Sequence, residues 1–181
     1  MKSLEEIYQS WQYQDGHGDK GTAHSYIPEY ERLLSPYRNK KINILEIGIA
    51  YGESLELWHE YFPKGKVYGV DIHDIEIKPY LTDSRFKIWI NDATKPEFVE
   101  ALGDLTFDII IDDGSHYLEH QLESFNLLKH KVNKGGIYII EDVSDLNSAT
   151  PFFEELHDNI EIIDLREQKQ RWDDVLITYR F

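Results

Sequence analysis

The chain has 181 residues, enough for one domain with a sizeable core. It contains no cysteine, which excludes disulfides, zinc–thiolate sites and thiol catalysis and leaves oxygen or imidazole to hold any metal. Its net charge of −15 argues against nucleic acid and anionic membranes as partners, because both call for clustered Lys and Arg.

No apolar run approaches the roughly 20 residues of a transmembrane helix. The segment MKSLEEIYQSWQ lacks the basic region and apolar stretch of a secretory leader, so the expected location is the cytoplasm. The first forty residues are polar and aromatic, with a Gly-rich patch at DGHGDKG (15–21) and a helix expected over 23–35, stopped by Ser35-Pro36. From Lys41 the pattern becomes regular. INILEIG (42–48) reads as a strand buried on both faces, SLELWHEYF (54–62) as a helix and KVYGVDI (66–72) as a second strand. A weak helix near 78–82 leads to RFKIWIND (85–92), a third strand. KPEFVEALG (95–103) is helical and FDIIIDDG (107–114) is the fourth strand. The pattern then gives a helix over 116–132, ended by Lys134-Gly135-Gly136, a strand at 136–142 and a helix at 151–158. IEIIDLRE (160–167) and DVLITYRF (174–181) are the last strands.

Strands alternating with helices predict an α/β fold, Rossmann-like and doubly wound, with a mostly parallel seven-stranded sheet. The last two strands are joined by too few residues for a parallel crossover, so they are expected as a C-terminal antiparallel hairpin. The expected organisation is an N-terminal helical arm over 1–40, capping the active site, and one main domain over 41–181.

Ligands of open α/β sheets bind beyond the carboxyl ends of the strands, at the switch point. After the first strand stands Glu46-x-Gly48-x-x-x-Gly52-x-Ser54, a turn whose glycines allow close backbone approach and whose Ser54 is a candidate helix cap. The spacing is not the G-x-G-x-x-G of dinucleotide enzymes, so it favours the amino-acid part of a smaller cofactor over a pyrophosphate. Asp71, ending the second strand, is placed to accept from ribose hydroxyls, and Asn91-Asp92-Ala93 at the third to meet an adenine amino group. Each also has a plain reading as a turn residue.

The densest chemistry is Asp112-Asp113-Gly114-Ser115-His116 after the fourth strand and Glu141-Asp142 after the fifth. Neighbouring strands lie about 4.8 Å apart, so four carboxylates and an imidazole converge. Such crowding is costly unless a cation neutralises it, and oxygen donors suit Mg²⁺. Alternation sends Asp112 and Asp113 to different places, one to a cofactor and one to a metal. Glu141 and Asp142 reach one ion only if the backbone leaves extended geometry there. His116 suits a general base for a hydroxyl.

ILEIGIAYGESLELWHEYFP, VYGVDI, IIIDDGSH and GGIYIIEDV, with the upstream DKGTAHSYIPEYERLL, resemble the metal-dependent macrolide sugar O-methyltransferases (the mycinamicin and macrocin type), which are class I S-adenosylmethionine-dependent enzymes. The cephalosporin hydroxylase-like proteins share much of this core. The resemblance implies methyl transfer from S-adenosylmethionine to a hydroxyl of a sugar or similar diol. It implies Mg²⁺ (or Mn²⁺) on Asp113, Glu141 and Asp142, with His116 as the base. Glu46, Gly48, Tyr51, Gly52, Ser54, Asp71, Ile72, Asp92, Ala93 and Asp112 would line the cofactor pocket. Lys20, His24, Tyr26 and Tyr117 would face the acceptor. The macrolide enzymes carry an extra N-terminal domain where this chain shows a short arm, so a nucleotide sugar or polysaccharide sugar is as plausible an acceptor as a macrolide.

Two other readings stay open: a metal-independent methyltransferase or hydroxylase-type relative, and a non-catalytic domain binding the cofactor or a metal, or an acid-pocket signalling receiver, which also clusters acids at strand ends. A hydroxylase would want imidazoles among its iron ligands, and here the ligands are carboxylates. Trp58 and Trp89 are expected in the core. Trp11, Tyr13 and Trp172 either line a substrate cleft or pack the arm against the C-terminal hairpin, with packing favoured. The oligomeric state, a homo-oligomer included, is left open.

Overall fold

A computed structural model describes residues 1–11, 18–74 and 83–181. Its seven described strands are β1 (Asn43–Ile47), β2 (Lys66–Asp71), β3 (Phe86–Ile90), β4 (Phe107–Asp112), β5 (Val132–Ile140), β6 (Ile160–Asp164) and β7 (Val175–Arg180). They form one sheet in the order β3-β2-β1-β4-β5-β7-β6. The first five are mutually parallel, while β7 lies antiparallel between β5 and β6, as the short final connection required.

The central strands are Ile-rich because helices cover both sides. Side-chain alternation sends Ile44, Ile109 and Ile111 to one face, where they meet α1 (Leu4–Trp11), α2 (Ile27–Leu34) and α3 (Glu53–Tyr61). Leu45 and Ile110 point to the other, under α4 (Pro96–Leu102), α5 (Leu118–Leu128) and α6 (Leu146–Leu156). The arm is thus more than a polar lid: Leu4, Ile7, Tyr26, Ile27, Tyr30 and Leu33 share a core with the sheet. Strand order reverses between β1 and β4, which puts the switch point at Gly48 and Asp113. Among the described residues no helix is long and apolar enough to cross a membrane.

Several boundaries differ from the sequence pattern, each for a local reason. α1 was not expected, yet Ser3 and Glu6 form a reciprocal capping box, Ser3 N donating to Glu6 Oε2 (2.7 Å) and Glu6 N to Ser3 Oγ (3.1 Å). α5 starts at Leu118, not 116, because His116 has φ +60°, outside the helical region. The pair Gly135-Gly136 does not end that helix. β5 already begins at Val132 and runs through both glycines past a register shift against β4. α6 begins five residues before Pro151, capped by Asp145, which accepts from Ser148 N (3.2 Å). A four-residue helix, α7 (Arg166–Lys169), sits in the final connection. Trp58 is fully buried and Trp89 packs at the core edge, whereas Trp172 is 66% exposed. The helix near 78–82, Tyr13 and the side chain of Trp11 lie outside the described residues.

Candidate active site

The turn after β1 is built on close backbone approach. A Cβ on Gly48 would fall 2.2 Å from the Asp113 carbonyl oxygen, and its φ is +77°. Only glycine satisfies both conditions. Gly52, φ +85°, is the N-cap of α3. Ser54 is therefore not the cap. Asp71 Oδ2 accepts from the amides of Ile49 (3.1 Å) and Ala50 (3.2 Å), and Oδ1 accepts from His73 N (2.9 Å), so it fixes the turn from the neighbouring strand.

Two cavities open on these turns and share Gly48, Asp71, His73 and Gly114. The smaller, about 400 Å³, runs over the ends of β1, β2, β3 and β4 and is lined by Ile72, Asp92, Ala93 and Asp112 among others. Burial pushes the Asp112 carboxyl up to about 7, and the charge of Asp113 adds to it. The larger, about 850 Å³, lies between the arm and the sheet, with Asp19, Tyr51, Asp113 and His116 on its wall. Tyr51 and Tyr117 are exposed, and Tyr117 lines neither cavity.

The acids at the ends of β4 and β5 do converge, but they divide. Asp113 groups with His116 and Asp142, and separately with Glu46 and Glu141, the ligand atoms of each set lying within 4.8 Å. Among the described residues Asp113, Glu141 and Asp142 do not form one tight set of their own. The backbone does leave extended geometry after β5, with φ +56° at Asp142. Left-handed backbone at Ala50, His116 and Asp142, all at the same sheet edge, is the strain that functional sites hold. His116 Nδ1 lies 3.8 Å from Asp142 Oδ2.

Glu46 was expected to line the cofactor pocket. It is fully buried beneath the turn, accepts from Trp58 Nε1 (2.9 Å) and faces the acid cluster. The arm residues expected to face an acceptor are likewise buried, and none lines either cavity. Lys20 Nζ donates to Asp113 Oδ2 and Glu141 Oε1, both at 2.6 Å. Tyr26 donates to Asp142 Oδ1 (2.6 Å), and His24 Nδ1 lies 3.4 Å from the same oxygen. Burial, then Asp142, raises the Tyr26 phenol far above its ordinary value, so it remains a donor. Burial and the charge of Asp113 likewise raise Glu141.

Three contributors had no sequence reading. Tyr30, one turn after Tyr26 on α2, donates to Glu141 Oε1. Asp174, fully buried before β7, accepts from Ser25 N (3.1 Å) and sits 3.3 Å from His24 Nδ1. Gln121 of α5 donates to the Glu141 carbonyl (2.9 Å). The available signals were the i, i+4 tyrosine pair and two consecutive acids immediately before an apolar strand.

Comparison with known proteins follows the same lines. The chain is 36% identical over 153 residues to 8-demethyl-8-alpha-L-rhamnosyl tetracenomycin-C 2'-O-methyltransferase of Streptomyces olivaceus, covering 79% of this chain and 39% of that protein. It is 37% identical over 132 residues to mycinamicin VI 2''-O-methyltransferase of Micromonospora griseorubida, covering 68% and 32%. It is 38% identical over 132 residues to demethylmacrocin O-methyltransferase of Streptomyces fradiae, covering 68% and 33%. The matched region thus spans 32–39% of the length of these curated relatives. Among solved structures, the MycE methyltransferase of mycinamycin biosynthesis, in complex with Mg and SAH, matches with TM-score 0.74 and 26% identity, covering 99% of this chain and 54% of that one. Its complex with Mg, SAH and mycinamycin VI matches with TM-score 0.72. No family model matches the chain.

Proposed function

We propose, for a chain that is a class I S-adenosylmethionine-dependent methyltransferase closely related to the macrolide sugar O-methyltransferases, that it methylates a hydroxyl of a sugar or similar diol. The observation that carries this reading is the position of His116. Its imidazole stands on the wall of the larger cavity beside Asp113, with Asp142 3.8 Å from Nδ1.

The donor set fits a hard divalent cation: carboxylate oxygens with one imidazole nearby and no sulfur. Asp113 and Asp142 would hold Mg²⁺ (or Mn²⁺); Glu141, expected as a third protein ligand, accepts from Lys20 and Tyr30 at Oε1 and stands outside their tight set. The smaller cavity would take S-adenosylmethionine, with Asp71 toward the ribose and Asp92 and Ala93 toward the adenine. When bound, the cofactor supplies an electrophilic sulfonium methyl group and the metal supplies Lewis acidity toward the acceptor's hydroxyls.

The chain's own groups do the rest. His116 would take the proton of the acceptor's hydroxyl. Asp142 stabilises the resulting imidazolium. Gly48 brings the two cavities together, so that donor and acceptor meet at the β1–β4 switch point and orientation supplies much of the rate. The described residues of the N-terminal arm cap the site, with Lys20, His24 and Tyr26 bracing its carboxylates. The acceptor is a glycosyl hydroxyl, as the names of the relatives indicate for those proteins.

The test is to incubate the protein with S-adenosylmethionine, Mg²⁺ and L-rhamnosyl or related glycosides, with and without EDTA, and to detect methylated glycoside by mass spectrometry. Mg²⁺-dependent methylation supports the reading. Transfer unaffected by EDTA, or S-adenosylhomocysteine binding with no transfer to any glycoside, contradicts it.

A further inference from the structure

Of the three groupings of possible metal ligands among the described residues, two share Asp113, and the third, His24 with Asp142 and Asp173, does not contain it. Asp113 belongs both to the set with His116 and Asp142 and to the set with Glu46 and Glu141. Adjoining cation positions that share a carboxylate are the arrangement of two-metal centres, whose ions sit roughly 3.5–4 Å apart. In this chain one of the two positions already holds a cation. The Lys20 ammonium is 2.6 Å from Asp113 Oδ2, 2.6 Å from Glu141 Oε1 and 3.3 Å from Glu46 Oε1.

Its surroundings are those of an ion site and not of a surface salt bridge. Lys20, Glu46 and Glu141 are each at most 2% exposed, and Glu46 Oε1 makes no hydrogen bond among the described residues. Removing one partner from such a buried set leaves uncompensated charge. The segment carrying Lys20 is anchored from both sides. Tyr8 donates to the Gly18 carbonyl (2.7 Å), and Lys169 Nζ donates to the carbonyls of Gly21 (2.8 Å), Thr22 (3.0 Å) and His24 (2.5 Å).

We infer that Lys20 is a built-in cation that permanently fills one half of a two-cation carboxylate centre, so that this chain takes one divalent ion where its carboxylates could hold two. Only the count of that first ion rests on the function proposed above. The ammonium is not a place-holder that the metal displaces. It coexists with the ion, balances Glu46 and Glu141, and ties the arm to the site.

The experiment counts Mn²⁺ bound per chain by electron paramagnetic resonance titration. It uses wild type, Lys20→Met, Lys20→Arg and the double variant Lys20→Met/Glu46→Gln, each checked for fold by S-adenosylhomocysteine binding. The wild type is expected to bind one ion, Lys20→Met two, and the other two variants one. Should Lys20→Met fold only with metal, refolding in Mn²⁺ followed by gel filtration and metal analysis gives the same count. Equal counts in Lys20→Met and wild type overturn the inference; if that single ion also binds more tightly, Lys20 competes for the same position. A wild type that binds none, beside a Lys20→Met that binds one, also overturns the inference, because the carboxylates then form a single cation position that Lys20 occupies.

Discussion

The imidazole Nδ1 of His116 lies 3.8 Å from Oδ2 of Asp142, and both residues hold left-handed backbone, with φ of +60° and +56°. Neither is glycine, so each conformation costs on the order of 1–3 kcal/mol and persists because the surrounding turns over-determine it. The strain turns an imidazole toward the larger cavity and a carboxylate toward the imidazole.

His116→Gln should therefore leave S-adenosylhomocysteine and Mn²⁺ affinities within a few-fold of wild type while turnover on a glycoside falls by roughly 10²–10⁴-fold, the usual contribution of a general base. Steady-state kinetics beside calorimetric titration checks this. A variant with full turnover would remove His116 from the reaction.

Gly48→Ala should destabilise the fold and impair cofactor binding together. The added Cβ meets the Asp113 carbonyl oxygen at 2.2 Å, on a backbone with φ +77°. The expected loss is at least about 1–3 kcal/mol by urea unfolding, with weaker S-adenosylhomocysteine binding. An unchanged unfolding midpoint would mean that the two turns do not meet as closely as described.

Asp112 sets a pH dependence of opposite sign to that of a salt-bridged carboxylate. Burial raises its folded pKa to about 7, above the ordinary value of the unfolded chain. The folded state thus holds this proton more tightly. Its contribution to stability is fullest below pH about 4, declines as pH rises to about 7 and is flat beyond. Asp112→Asn should flatten that decline, which is on the order of a few kcal/mol. Urea unfolding across pH 4–8 in EDTA measures it; parallel profiles for variant and wild type would refute the assignment.

Lys169→Met removes the cation that gathers the carbonyls of Gly21, Thr22 and His24. Charge-assisted bonds contribute about 1.5–3 kcal/mol. Amide exchange over residues 18–26 should accelerate roughly tenfold or more, and Mn²⁺ affinity should weaken, while S-adenosylhomocysteine affinity holds. Unaltered exchange would mean that α1 alone fixes the arm.

The strands were legible because their Ile- and Val-rich runs are bounded by Gly and Asp, and so was the convergence of Asp113, His116, Glu141 and Asp142 on one edge. The misread boundaries came from signals that serve two purposes. Pro151 looks like a helix start and lies inside α6, and Gly135-Gly136 looks like a helix stop and lies inside β5. Ser3 and Glu6 did carry a readable capping box. The direction of Lys20 and Tyr26 was not readable, because it depends on contacts between residues 93 to 121 positions apart, as between Lys20 and Asp113 or Glu141. No local pattern indicates that a lysine from the arm will enter an acid cluster at the far end of the sheet.

The most direct test is calorimetric titration of S-adenosylhomocysteine and then Mg²⁺ into wild type and Asp113→Ala. Cofactor binding by both proteins, with Mg²⁺ binding lost only in the variant, is the predicted result. Failure of either protein to bind S-adenosylhomocysteine, or equal Mg²⁺ affinity in both, would contradict a metal-dependent methyltransferase site at the ends of β1, β4 and β5.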